Sequence, residues 1–215
     1  IKKIYKDTIF DIDVTPNRPD CLSHIGVARE IAVITKGKLQ KPEISLQESK
    51  KSAFDSIKIH IHDTSACPRY SARVIRDVVI KVSPQWLKNH LKSVGIRSIN
   101  NVVDITNYIL METGHPLHAF DYDLIKGAEI NVRKARSQEK FTTLDDIERS
   151  LNTNDLLICD GEKGVALAGV MGGFNSEISS ETKNILLESA YFDPFTIRKT
   201  SKKFGLFTEA SQRFE

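Results

Sequence analysis

Strict alternation runs from Ile57 to His62, where Ile57, Ile59 and Ile61 interleave with Lys58, His60 and His62. Residues two apart on an extended chain share a face, so the pattern predicts a strand with isoleucines on a core and histidines outside. The β-branched stretch Tyr70–Val79 predicts a second strand, and shorter apolar runs near 128–133, 139–144, 155–159, 165–169 and 184–189 predict others. Asp160-Gly161-Glu162-Lys163-Gly164 has the composition of a hairpin connection. Helical spacing instead relates Leu22, Ile25, Ala28, Ile31 and Ala32, with Gly37 closing that helix. Ser83-Pro84 supplies a cap and a first-turn proline for a helix through Leu87, Leu91 and Val94 to Gly95. A further helix is predicted from Val102 to Glu112, capped by Asn100 or Asn101 with Gly114 beyond it, and another from Asp193-Pro194 to Gly205.

Residues from Lys38 to about Ser52 are polar and aperiodic, which predicts a linker. A partial N-terminal segment, 1–45, would then precede a main domain, 46–215. The chain opens on Ile1 and stops at Arg213-Phe214-Glu215, inside what reads as an opening helix, as a segment of a longer polypeptide would. Strands and helices mix without a regular strand–helix alternation, so the fold class is α+β, with sheets covered on one side by helices.

Composition narrows the picture without deciding it. With 215 residues, 40% hydrophobic and 27% charged, the chain can bury one sizeable core. No apolar run approaches the roughly 20 residues that span a bilayer, and the N-terminus lacks a signal peptide's apolar stretch, which places the chain in the cytoplasm. Cys21, Cys67 and Cys159 show no Cys-x-x-Cys spacing, so neither a disulfide framework nor a zinc site is expected. His60 and His62 lack a third ligand nearby in sequence, and no metal is expected there either. A net charge of +3 does not by itself identify a nucleic-acid binder. Two basic clusters, Arg198/Lys199/Lys202/Lys203 and Arg69/Arg73/Arg76, read as solvated faces or as phosphate contacts.

Some residues stand where packing alone would not ask for them. Thr106 and Asn107 fall inside the Val102–Glu112 helix, although both side chains compete for backbone hydrogen bonds there; they either face solvent or have another task. His118, between Leu117 and Ala119-Phe120, is either a hydrogen-bonded core group or one that positions a water or ligand. Gly169-Val170-Met171-Gly172-Gly173 implies positive φ or close approach to the backbone, without being a dinucleotide or phosphate-loop fingerprint. Glu188 interrupts the apolar run Ile185–Phe192, so it needs a partner or a pocket. No nucleophile elbow, activated cysteine or carboxylate cluster is present, so any chemistry must rest on binding geometry and an activated water.

Together these stretches carry a resemblance. Thr15-Pro16-Asn17-Arg18-Pro19-Asp20-Cys21-Leu22-Ser23, Arg97-Ser98-Ile99-Asn100-Asn101-Val102-Val103-Asp104-Ile105-Thr106-Asn107-Tyr108, Pro116-Leu117-His118-Ala119-Phe120-Asp121, Gly169–Gly173 and Thr208-Glu209-Ala210-Ser211 follow the order and spacing of bacterial-type phenylalanyl-tRNA synthetase β subunits. The sequence resembles that family over essentially its whole length. His115 stands where glutamine is common in the family, and the interval from His118 to Glu188 is slightly longer, neither touching a matched site residue.

The resemblance implies a three-layer β/β/α B3/B4 domain preceded by the end of the B1 region. It implies an editing cleft that hydrolyses Tyr-tRNA(Phe), with His118 and Glu188 as its central, catalytic pair and Arg97, Thr106, Asn107, Gly169, Gly172, Thr208 and Ala210 binding substrate. Partners implied are tRNA(Phe) and an α subunit in an α2β2 enzyme; ATP and Mg2+ are expected for the full synthetase and no cofactor for this segment. A noncatalytic tRNA-binding or structural module supporting the α subunit is the alternative, and a purely structural support would leave the central residues buried and mutually satisfied.

Overall fold

The computed structural model describes residues 8–215. Helix α1 (His24–Thr35) is capped by Ser23, whose hydroxyl accepts the Gly26 amide, and ends on Lys36 in the left-handed region, one residue before the expected glycine. Gly26 is its only fully buried residue; of the apolar stripe, Leu22, Ile25, Ala28 and Ala32 are partly buried and Ile31 is exposed. Irregular chain then leads to β1 (Lys58–Ile61), whose exposure alternates as its sequence predicts.

Strand β2 (Arg69–Ile75) is shorter than the apolar stretch suggested, because Asp77 adopts φ 55° and turns the chain out of extension. Helix α2 (Gln85–Ser93) follows Pro84, but Ser83 does not cap it. The Ser83 hydroxyl donates instead to the Asp104 carboxylate, inside α3 (Asn101–Thr113). Asn100 caps α3 through the Val102 and Val103 amides, and Gly114 at φ 79° ends it.

The strands β3 (His118–Asp121), β4 (Glu129–Lys134), β5 (Lys140–Thr142), β6 (Glu148–Ser150), β7 (Leu156–Cys159), β8 (Gly164–Leu167), β9 (Met171–Gly172) and β10 (Ile185–Tyr191) follow, and then α4 (Pro194–Phe204) and α5 (Glu209–Phe214). β3, β6 and β9 fall outside the strands that the sequence pattern predicts.

The strands form a five-stranded sheet in the order β1-β4-β7-β8-β9, a three-stranded antiparallel sheet β2-β10-β3, and the hairpin β5-β6. β7 and β8 pair antiparallel across the Asp160–Gly164 connection and are buried at every position, so both faces are covered. One face of the small sheet, carrying Tyr70, Phe120, Leu186 and Ala190, shares a core with Ile130, Val132, Ile158 and Leu167 of the large one. Its other face sets Ala119, Ile185 and Leu187 against Val102 of α3. Sheet, sheet and helix therefore stack as the three layers that the resemblance implies, and α4 packs on β7. No described helix is long and apolar enough to cross a membrane.

Candidate functional site

The antiparallel register of β3 and β10 sets His118 directly opposite Glu188. On β2, Tyr70 opposes Ala190, two residues from Glu188, so the period of two brings Tyr70, His118 and Glu188 to one face of the small sheet. Glu188 is 5% exposed. The Tyr70 hydroxyl donates to its Oε2 at 2.6 Å. Burial pushes the Glu188 carboxyl up to about 7, against the pull of the Tyr70 bond in the other direction. Burial, and then the adjacent Glu188, push Tyr70 well above the usual phenol range, so this phenol keeps its proton and remains a donor.

His118 is in a different state. Its ring lies edge-on to Phe120 at 4.4 Å between centroids. Neither ring nitrogen has a hydrogen bond among the described residues. Burial lowers its pKa to about 4, which leaves a neutral imidazole at neutral pH. It is therefore not a hydrogen-bonded core histidine. Its position depends on Gly172: a Cβ there would lie 2.7 Å from His118 Cε1. Gly169 is required for a separate reason, since it sits at φ +66° with a would-be Cβ 2.8 Å from Ile197 Cδ1.

These groups open into a cleft of about 280 Å³. Its walls include His118, Glu188, Thr106, Asn107, Gly169, Gly172, Thr208 and Ala210, so eight residues far apart in sequence come together. Arg97 does not join them; it lies exposed in the turn between α2 and α3, ahead of the Asn100 cap, and forms no part of the wall. Leu144, from the β5-β6 turn, and Phe214 also line the wall and carry no signal in the sequence. Tyr70 was legible only as a strand residue, because its contact with Glu188 spans 118 positions.

The polar groups of the cleft differ in what they have left to offer. Thr208 caps α5 by accepting the Ser211 amide and donates to the Val170 carbonyl at 3.0 Å, which ties α5 to the glycine turn. Thr106 donates back to the Val103 carbonyl and keeps only acceptor capacity. Within the glycine turn, the Val170 and Gly173 amides already donate to the Leu167 and Val165 carbonyls. The side-chain amide of Asn107 has no hydrogen bond among the described residues. Asn107, His118 and the carboxylate of Glu188 are thus the groups best placed to meet a ligand. A second hollow, of about 300 Å³ between α1, α2 and α3, holds none of the motif residues named for the site.

Part of each basic cluster finds local partners. Arg73 pairs with Glu48 and Lys203 with the buried Asp155, while Arg76 and Lys199 lie over the rings of Tyr122 and Phe195. His62 bonds Asn131 Oδ1 at 2.9 Å. Cys67 and Cys159 are buried, with thiols pushed up to about 12 and about 11 mainly by burial.

Residues 66–215 match the family model described as the B3/4 domain, and the chain belongs to that family. Along 98% of its length it is 56% identical to the phenylalanine–tRNA ligase β subunit of Syntrophus aciditrophicus and covers 26% of that protein. Against the phenylalanine–tRNA ligase β subunit of Geobacter metallireducens the identity is 58%, again over 98% of this chain and 26% of the relative. The chain thus spans about a quarter of the length of these curated relatives. A crystal structure of an N-terminal fragment of the phenylalanyl-tRNA synthetase β subunit from Pyrococcus horikoshii overlays with a TM-score of 0.49 at 15% identity, covering 95% of this chain and 64% of that one.

Proposed function

We propose that this chain is the part of a cytoplasmic phenylalanine–tRNA ligase β subunit that hydrolyses tyrosine wrongly esterified to tRNA(Phe), acting in an enzyme assembled with an α subunit as α2β2. The observation that carries the reading is an unpartnered imidazole and a buried carboxylate directly opposite one another in a cleft whose volume suits a single amino acid. A pocket shaped for phenylalanine rejects an added hydroxyl by only about a hundredfold. A second site must therefore select the other way. A buried acceptor with a free oxygen does this, because phenylalanine leaves that oxygen unpaired, and such sites reject the analogue that lacks the hydroxyl by roughly 10⁴ to 10⁵.

Glu188 is the reader of the phenol in this account. Asn107 holds the ester carbonyl, and neutral His118 accepts a hydrogen bond from the attacking water or the terminal ribose, acting by orientation and not as a strong base. An aminoacyl ester is already labile, so positioning and stabilisation of the developing oxyanion are enough. The bond from Tyr70 to Glu188 is the observation that favours a second reading, a structural module whose central carboxylate is satisfied internally. Deacylation of Tyr-tRNA(Phe) by the assembled enzyme, with and without Asn107→Ala and His118→Ala, separates the two. Editing predicts losses of at least tenfold in rate, whereas a structural module predicts no hydrolysis to lose.

A further inference from the structure

Glu188 reaches the cleft with one carboxylate oxygen already held by a phenol of the protein itself. Tyr70 donates to Oε2 at 2.6 Å from a neighbouring strand, and its ring belongs to the shared core of the two sheets, which fixes the direction of the bond. A carboxylate has room for several donors, so Tyr70 on one oxygen leaves the other for a ligand. We infer that Tyr70 is a positioning and specificity residue of the cleft: its phenol orients the Glu188 carboxylate and keeps it an acceptor, so that a protein phenol and a substrate phenol share one carboxylate. The inference rests on the editing reading above and adds to it a residue that none of the site motifs contains.

A glutamate side chain with no partner would rotate, and a fixed bond from a core residue removes that freedom before the substrate arrives. The bond also favours the charged form of Glu188, against the burial that pushes it up to about 7. The groups that face Glu188 from the surrounding elements offer no competing positive charge. They are Tyr70 on β2, Cys67 just before it, neutral His118 on β3, and Glu209 on α5 across the cleft, itself paired with Arg213 at 2.6 Å. Tyr70 is the one group among these that donates a hydrogen bond to the carboxylate.

The test is single-turnover deacylation of Tyr-tRNA(Phe) and Phe-tRNA(Phe) across pH 6 to 8.5 by the assembled synthetase carrying Tyr70→Phe or Glu188→Gln, the former keeping the ring that fills the core. Losing a hydrogen bond to a charged group predicts about tenfold weaker Tyr-over-Phe discrimination near pH 7, with the midpoint of its pH dependence about one unit higher. Discrimination then recovers as pH rises. Where Tyr70→Phe does not assemble, Glu188→Asp withdraws the carboxylate from Tyr70 and must raise the midpoint likewise. A Tyr70→Phe profile that superimposes on the parent, loses rate equally at every pH, or discriminates better overturns the inference, while a loss in Glu188→Gln leaves the editing reading standing. Unchanged discrimination in Glu188→Gln overturns both.

Discussion

Replacing Gly172 by alanine tests how tightly the cleft is assembled. The added Cβ would lie 2.7 Å from Cε1 and 3.0 Å from Nε2 of His118, and 3.0 Å from Cδ1 of Leu144. The His118 ring has Phe120 against its edge, so the open cleft is the direction left to it. Overpacking of this kind costs about 1–3 kcal/mol. A displacement of about 1 Å at a positioned group costs roughly a hundredfold in rate. The account therefore predicts a modest loss of stability in urea unfolding and a much larger loss in deacylation. A double-mutant cycle isolates the cause. A His118→Ala background removes the two closest of the three nearest contacts, so Gly172→Ala should cost about 1 kcal/mol less than it does in the parent. Costs that add to within about 0.5 kcal/mol would show that Gly172 does not act through His118 and would refute the reasoning.

Other outcomes follow from the same structure. Glu188, raised to about 7, lowers stability as pH climbs from its unfolded value of 4.5 towards 7, whereas His118, lowered to about 4, lowers stability as pH falls from 6.5 towards 4. The two slopes oppose each other, so relative to the parent Glu188→Gln should gain stability with rising pH and His118→Ala should lose it, each by about 2–3 kcal/mol across the window in chemical unfolding. Parallel curves for parent and variants contradict this. Asp104 is fully buried and accepts from Ser83, Ser98 and the Ile99 amide, so Asp104→Ala should cost about 3 kcal/mol in urea unfolding by stranding those donors; a cost below about 1 kcal/mol would be inconsistent. Thiol labelling of the native chain should reach Cys21 first, with Cys67 and Cys159 protected until unfolding; equal rates would contradict the burial of the latter two.

Most of the elements could be read from local sequence because their causes are local. Asn100 and Gly114 delimit α3, Asp193-Pro194 and Gly205 delimit α4, and alternation marks β1. Ser83 reads as a cap because its hydroxyl stands next to a proline, while a buried carboxylate 21 positions away competes for it more strongly. The cleft was legible only in pieces. Unusual residue types flagged Glu188, His118 and the glycine turn, but cross-strand register brought His118 to Glu188, and nothing local to Tyr70 told of the bond it makes. Arg97 belongs to a matched motif, yet its segment serves to lead into the α3 cap and leaves the side chain in solvent.

On the proposed editing reading, selection of tyrosine in this cleft is the work of Glu188. Its most direct measurement is the ratio of deacylation rates for Tyr-tRNA(Phe) and Phe-tRNA(Phe) by the assembled enzyme, parent against Glu188→Ala. A strong preference for the tyrosyl ester is expected in the parent and a fall of about a hundredfold or more in the variant, since a buried acceptor for the phenol is removed. An unchanged ratio would contradict it.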